Sequence, residues 1–212
     1  MLFDIKPRRD KFLEGSFESS MKELELFFGI KWTKNRPNVL VVPDRRGFDL
    51  IFGRKTPGWS VGLAPGRDIY VLDHENYAKN STHEYSKEHY RALVKHELTH
   101  VFCRVVSGKE MLYPFWLSEG LAMYLAGQNI TRPRPLKFKS FLKYYTLHNE
   151  EVYAESGFAV ELLLKKYGRR KILQLLKGLS GVASPKTFEE LFAKIYGFRP
   201  TYGQFNGLLD KV

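Results

Sequence analysis

The stretch Leu93-Val94-Lys95-His96-Glu97-Leu98-Thr99-His100-Val101-Phe102-Cys103 decides how the chain is read. Residues 86–106 hold neither glycine nor proline. Leu93, Val94, Leu98, Val101, Phe102 and Val105 recur at helical spacing until Gly108 closes the segment. The apolar stripe is expected on the face away from the histidines. On a helix, His96 and His100 stand four apart on one face, so both imidazoles can reach one ion. Glu97 then sits beside that ion without being a third in-line ligand, placed to take a proton from an adjacent water. Nearby His83-Glu84 lacks this pattern, because position 87 is lysine. The plain alternative is two histidines hydrogen-bonded at the edge of the core.

Downstream, Pro114 is a favoured first-turn residue and opens a helix that ends near Gly127. It carries Trp116-Leu117-Ser118-Glu119-Gly120-Leu121-Ala122. Consecutive helices with a short connection pack antiparallel, which brings Glu119 back toward the histidines. Most glutamates are solvated. A charge set among Trp116, Leu117, Leu121 and Ala122 calls instead for a partner. A catalytic zinc ion takes three protein ligands and keeps one position open. His96, His100 and Glu119 would supply the three.

With Glu119 in place the chain resembles the gluzincins, zinc peptidases whose third ligand is glutamate. Within them it looks most like the alanyl-aminopeptidase type and its compact peptidase-domain relatives. Their pattern is H-E-x-x-H, eighteen residues, then Glu within W-x-x-E-G-x-A. Residues 101–118 are those eighteen, and Trp116, Glu119, Gly120 and Ala122 match. The resemblance implies a zincin-like fold, one zinc ion on His96, His100 and Glu119, and Glu97 as general base. Tyr153-Ala154-Glu155-Ser156-Gly157-Phe158-Ala159 looks like the segment that carries a transition-state tyrosine in such enzymes. Tyr153 would donate a hydrogen bond to the developing oxyanion. In solvent it would be an ordinary tyrosine at a helix start.

Two departures narrow what the resemblance implies. The G-x-M-E-N segment that anchors a substrate N-terminus is absent, and Gly62-Leu63-Ala64-Pro65-Gly66 stands in its place without a carboxylate. An endopeptidase is therefore favoured over an aminopeptidase. Four residues after Glu119 stands Met123, where a carboxylate could orient a ligand histidine. The sequence does not mark which other residue takes that task.

The remaining segments set the fold class. Phe12, Leu13, Phe17, Met21, Leu24, Phe27 and Phe28 lie at helical spacing before Gly29. Strands are expected at Val39–Val42, Phe48–Phe52, Trp59–Ala64 and Asp68–Leu72, the last two flanking a Pro65-Gly66 turn. They make a small sheet of three or four strands. An extended substrate would pair with an exposed edge, Trp59–Ala64 or Asp68–Leu72. Later helices are expected at 151–167, 169–179 and 188–196, the last opened by a Thr187/Glu190 capping box. Thr201 and Gln204 repeat that spacing for a terminal helix. The expected class is α+β. Its N-terminal helix and sheet occupy 1–85 and its mainly helical half 86–212, together one zincin-like metallopeptidase domain over 1–212.

Composition bounds the setting. No apolar run reaches the roughly 18 residues that a membrane span needs. The N-terminal residues lack the apolar core of a secretory signal. Cys103 is the single cysteine, which excludes an internal disulfide. These features suggest a cytoplasmic protein. Cys103 follows His100 by three positions and could share its face as a fourth ligand, but a buried free thiol is the usual case. The net charge is +11, which suits an anionic partner: an acidic peptide, nucleic acid or a membrane surface. Residues 131–145 interleave Arg132, Arg134, Lys137, Lys139 and Lys143 with Phe138, Phe141, Tyr144 and Tyr145. Such a segment can bind single-stranded nucleic acid. The favoured reading is an amphipathic helix beside the cleft, with acidic peptides preferred as substrates. Against the peptidase stands a catalytically silent, zinc-holding regulatory or nucleic-acid-binding protein. A purely structural site would need neither Glu97 nor Tyr153.

Overall fold

In the computed structural model, which describes residues 5–110, 113–143, 145 and 152–209, the chain is an α+β fold built around one buried helix. That helix, α4 (Lys87–Ser107), starts where the Ser86 hydroxyl accepts the His89 N–H, and ends at Gly108. Residues 96–103 are buried without interruption, so neighbours surround it and no single apolar stripe defines it. Helix α1 (Lys11–Phe28) packs along it. Strands β2 (Gly62–Leu63) and β3 (Ile69–Leu72) cover a second side, and helices α5 (Phe115–Leu125) and α6 (Val152–Gly178) a third. Val105 alone of the expected stripe points outward, at 51% exposure.

The sheet has the order β1-β3-β2, with β1 spanning Val39–Val42. β1 and β3 run parallel, and β2 and β3 antiparallel. A parallel pair needs a crossover. Part of it is a helix, α2 (Arg45–Phe52), where a strand over Phe48–Phe52 is expected from sequence. The Asp44 carboxylate accepts the Gly47 N–H at 2.8 Å, and Gly53 ends the helix with φ 66°. A five-residue segment with four apolar residues is too short for its period to separate strand from helix, and the cap decides. Trp59–Ala64 contributes only Gly62–Leu63 to the sheet. β3 is central, which removes Asp68–Leu72 as a docking edge and leaves β2 as the edge on this side.

Helix α3 (Tyr77–Asn80) leads into α4. Helix α5 begins after Pro114, whose extended backbone makes it the cap and not the first turn. Helix α6 is broken at Gly168 (φ 77°, ψ 164°), so it forms the two segments expected on either side of that glycine. Helices α7 (Pro185–Tyr196) and α8 (Tyr202–Leu209) close the fold. The box that starts α7 pairs Ser184 with Thr187, three residues earlier than the Thr187/Glu190 box expected. Thr201 accepts the Gln204 N–H at 3.3 Å as read from sequence.

Residues 131–143 hold no α-helix, only a short 3-10 turn at Phe141–Lys143; Tyr144 lies outside the described residues. Phe138 and Phe141 are fully buried, edge-on to one another, and Phe141 is edge-on to Trp116 and Phe205. The buried Glu155 carboxylate on α6 accepts the backbone N–H groups of Lys139, Ser140 and Phe141 at 2.9–3.1 Å. A loop satisfied in this way does not need the helical ladder that its amphipathic pattern suggests.

Candidate metal centre

The helix period places His96 and His100 on one face of α4, with ring centroids 4.9 Å apart and planes crossing at 78°. Their Nε2 atoms are 3.2 Å apart. Glu119, in the first half of α5, approaches both: Oε2 lies 3.2 Å from His96 Nε2, and Oε1 lies 3.5 Å from His100 Nε2. All three side chains are buried. Close α5–α6 packing holds α5 in place, since a Cβ on Gly120 would sit 2.5 Å from the Ser156 carbonyl oxygen. That is a physical reason for glycine directly after Glu119.

These residues fit a metal ion. A tetrahedral zinc with bonds of about 2.0–2.2 Å holds its ligand atoms roughly 3.3–3.6 Å apart. The observed separations are 3.2, 3.2 and 3.5 Å. Glu119 Oε2 is buried with no hydrogen bond among the described residues, which an ion would remedy. The donor set of two imidazoles and a carboxylate suits zinc. Among the described residues this is the one cluster of three or more potential ligands with converging donor atoms, and Cys103 is not part of it. The Cys103 thiol is buried and pushed up to about 12, chiefly by burial, so it stays protonated.

Electrostatics bind the triangle together. Burial opposes charge on Glu119, but the charges and close approach of His100 and His96 hold its carboxyl well below the usual range. Burial likewise disfavours the His96 imidazolium, yet Glu119 and Glu97 outweigh it and raise that group to about 8. Glu97 is buried too, and burial raises its carboxyl above the ordinary value, with His96 and His100 close enough to temper the shift.

The same small space collects the other groups read from sequence. The Tyr153 hydroxyl hydrogen-bonds Glu119, and burial together with Glu119 and Glu97 pushes it well above an ordinary phenol. Its ring stands 6.3 Å from the His96 ring and edge-on to Trp59 at 6.2 Å. Glu97 lies against strand β2: a Cβ on Gly62 would come within 2.7 Å of Leu93 Cδ1 and 2.8 Å of the Glu97 carboxyl carbon. Arg104 donates through Nε and Nη2 to the Gly66 carbonyl at 3.1 and 2.7 Å, tying the β2–β3 turn to α4.

Two participants carry no local signal in the sequence. Gly62 reveals itself only through its contact with α4. Gln128 lies 32 positions from His96, and its Oε1 is 2.8 Å from His96 Nδ1. Comparison with known proteins yields no match to a protein family, to a curated protein or to a solved structure.

Proposed function

We propose that the protein is a zinc-dependent peptidase of zincin-like fold that cleaves within peptide chains. His96, His100 and Glu119 would hold one zinc ion, Glu97 would be the general base and Tyr153 the oxyanion donor. The observation that carries this reading is the triangle of Nε2, Nε2 and carboxylate, sized for a tetrahedral ion and flanked by two further groups of suitable chemistry. Zinc, when bound, supplies Lewis acidity to a carbonyl and lowers the pKa of water toward about 7.

The chain's own residues account for the proton traffic. Glu97, with a carboxyl raised by burial, accepts a proton from the attacking water and delivers it to the leaving amine. Tyr153 keeps its proton at neutral pH and can donate a hydrogen bond to the oxygen on which charge develops. The edge of β2 beside Glu97 offers backbone groups to an extended peptide. Gly62–Leu63 presents no carboxylate for a free N-terminus, which favours endopeptidase action.

The basic loop offers less support for nucleic acid, because Phe138 and Phe141 lie in the core and cannot stack on bases. No described helix is long and apolar enough to cross a membrane. A cytoplasmic setting is proposed on the single buried thiol, Cys103.

The deciding experiment is metal analysis of wild-type protein and His96→Ala, paired with digestion of a mixed peptide library. We expect one zinc per chain, lost in His96→Ala, and cleavage by the loaded wild type alone. Wild-type protein that takes up no zinc refutes the proposal. Zinc without any cleavage favours the silent, zinc-holding alternative.

A further inference from the structure

We propose that Gln128 is a positioning residue that fixes the tautomer of His96, so that Nε2 faces Glu119 and His100 with a free lone pair. The inference rests on the metal reading above and adds to it a group that no ligand motif contains.

A neutral imidazole has one N–H, and the partner of one nitrogen determines which nitrogen keeps the proton. His96 Nδ1 lies 2.8 Å from Gln128 Oε1, and an amide oxygen can only accept. Nδ1 therefore carries the hydrogen and donates it. Nε2 is left unprotonated where it points at His100 Nε2 and Glu119 Oε2, both 3.2 Å away. With the opposite tautomer, Nε2–H would point into the triangle and block a ligand bond. Histidine ligands in metal sites are oriented in this way by carboxylates, carbonyls or waters; here a side-chain amide takes the part.

The backbone explains how Gln128 arrives there. Helix α5 ends in a Schellman motif. Gly127 adopts φ 73°, its N–H donates to the Tyr124 carbonyl at 3.1 Å, and the Gln128 N–H donates to the Met123 carbonyl at 3.0 Å. Met123 stands where a carboxylate could have oriented a histidine. Its side chain has no such group, yet its carbonyl anchors the residue that does. One helix thus delivers Glu119 from its first half and Gln128 from its C-terminal cap, and both converge on His96. The chain's reading direction hides this, since the cap and the histidine belong to different helices.

The test is zinc affinity of the full-length chain, measured by competition with a chromophoric chelator at fixed pH. Wild type is compared with Gln128→Leu and Gln128→Glu, and thermal unfolding of each metal-free protein reports its fold. Loss of an outer partner of a ligand histidine weakens metal binding by about 10–100-fold. We expect a loss of that size for Gln128→Leu. Gln128→Glu, which keeps an acceptor, should bind zinc at least as tightly as wild type to within a few-fold. The ring ¹⁵N shifts of His96 in wild-type protein, at a pH where it is neutral, should report protonated Nδ1.

Wild-type affinity in Gln128→Leu overturns the inference while leaving the metal site standing. Equal losses in both variants also overturn it, because packing and not acceptance would then be at stake. Protonated Nε2 in the wild type overturns it even if neither variant folds. A wild type that binds no zinc removes the metal reading and this inference together, so the two failures are distinguishable.

Discussion

As the proposed general base, Glu97 would accept a proton and then release it, which asks for a carboxyl less acidic than one in water. Burial beside Gly62 and Leu93 moves it in that direction, and the nearby imidazoles limit the shift. Glu97→Gln keeps the shape and removes the basicity. It should retain one zinc per chain while kcat falls by about 10²–10⁴-fold; full hydrolysis by that variant would sink the mechanism. Gly62→Ala tests the other side of the contact. The added methyl would meet the Glu97 carboxyl carbon within 2.8 Å, so the carboxylate must turn away. Peptide hydrolysis should fall at unchanged zinc affinity, measured side by side. At this scale the two histidines were legible because helix periodicity converts a spacing of four into a shared face, with Glu97 beside it, and Glu119 because consecutive helices with a short connection pack antiparallel. Gly62 and Gln128 were not, because their roles arise only when a strand and a helix cap meet α4.

Among the elements, α1 shows how much a single carboxylate can organise. Asp10 accepts the N–H groups of Phe12 and Leu13 at 3.1 Å, lies 2.8 Å from His74 Nε2 and 3.4 Å from Arg8. Burial pushes its carboxyl upward, but the bonds to His74 and Leu13 and the charges of His74 and Arg8 outweigh it, so the group is lowered. Asp10→Ala should cost about 1–2 kcal/mol, the usual range for a lost N-cap. The sign with pH follows from a depressed folded-state value. The contribution is complete above the unfolded pKa of about 3.9 and fades as pH falls through the lower folded one. Denaturant titrations should therefore show wild type and Asp10→Ala separated at neutral pH and converging in acid. A constant gap down to strongly acidic pH would refute this account of the cap. Sequence periodicity showed α1 and α4, whose apolar positions extend over several turns, and Pro114 and Gly127 bracketed α5. It failed at α2, where five apolar-rich residues fit either period and the Asp44 cap settled the matter.

Across the whole molecule the net charge is +11, and one exposed cation of the basic loop, Arg132, acts on Tyr153 at the site. The stretch 131–143 follows α5 and lies against α6. Phe138 and Phe141 pin it inside, the Glu155 carboxylate gathers its backbone N–H groups, and Arg134 pairs with Glu161 at 2.7 Å. An amphipathic pattern was visible in these residues. A loop stapled by a glutamate many positions later was not, since nothing local distinguishes Glu155 from a solvated carboxylate. Arg132 remains exposed, and its charge reaches Tyr153. A peptide bound along β2 and past Tyr153 would feel that charge. Acidic peptides should then be cleaved with higher kcat/KM than matched basic ones. The ratio should shrink as salt rises, because exposed charges are screened beyond a Debye length of about 8 Å at physiological ionic strength. Arg132→Glu should lower or invert the ratio without altering zinc affinity, since Arg132 is not among the proposed ligands. Equal cleavage of the two peptides by wild type, at low salt as well as high, would show that the basic loop does not select the substrate.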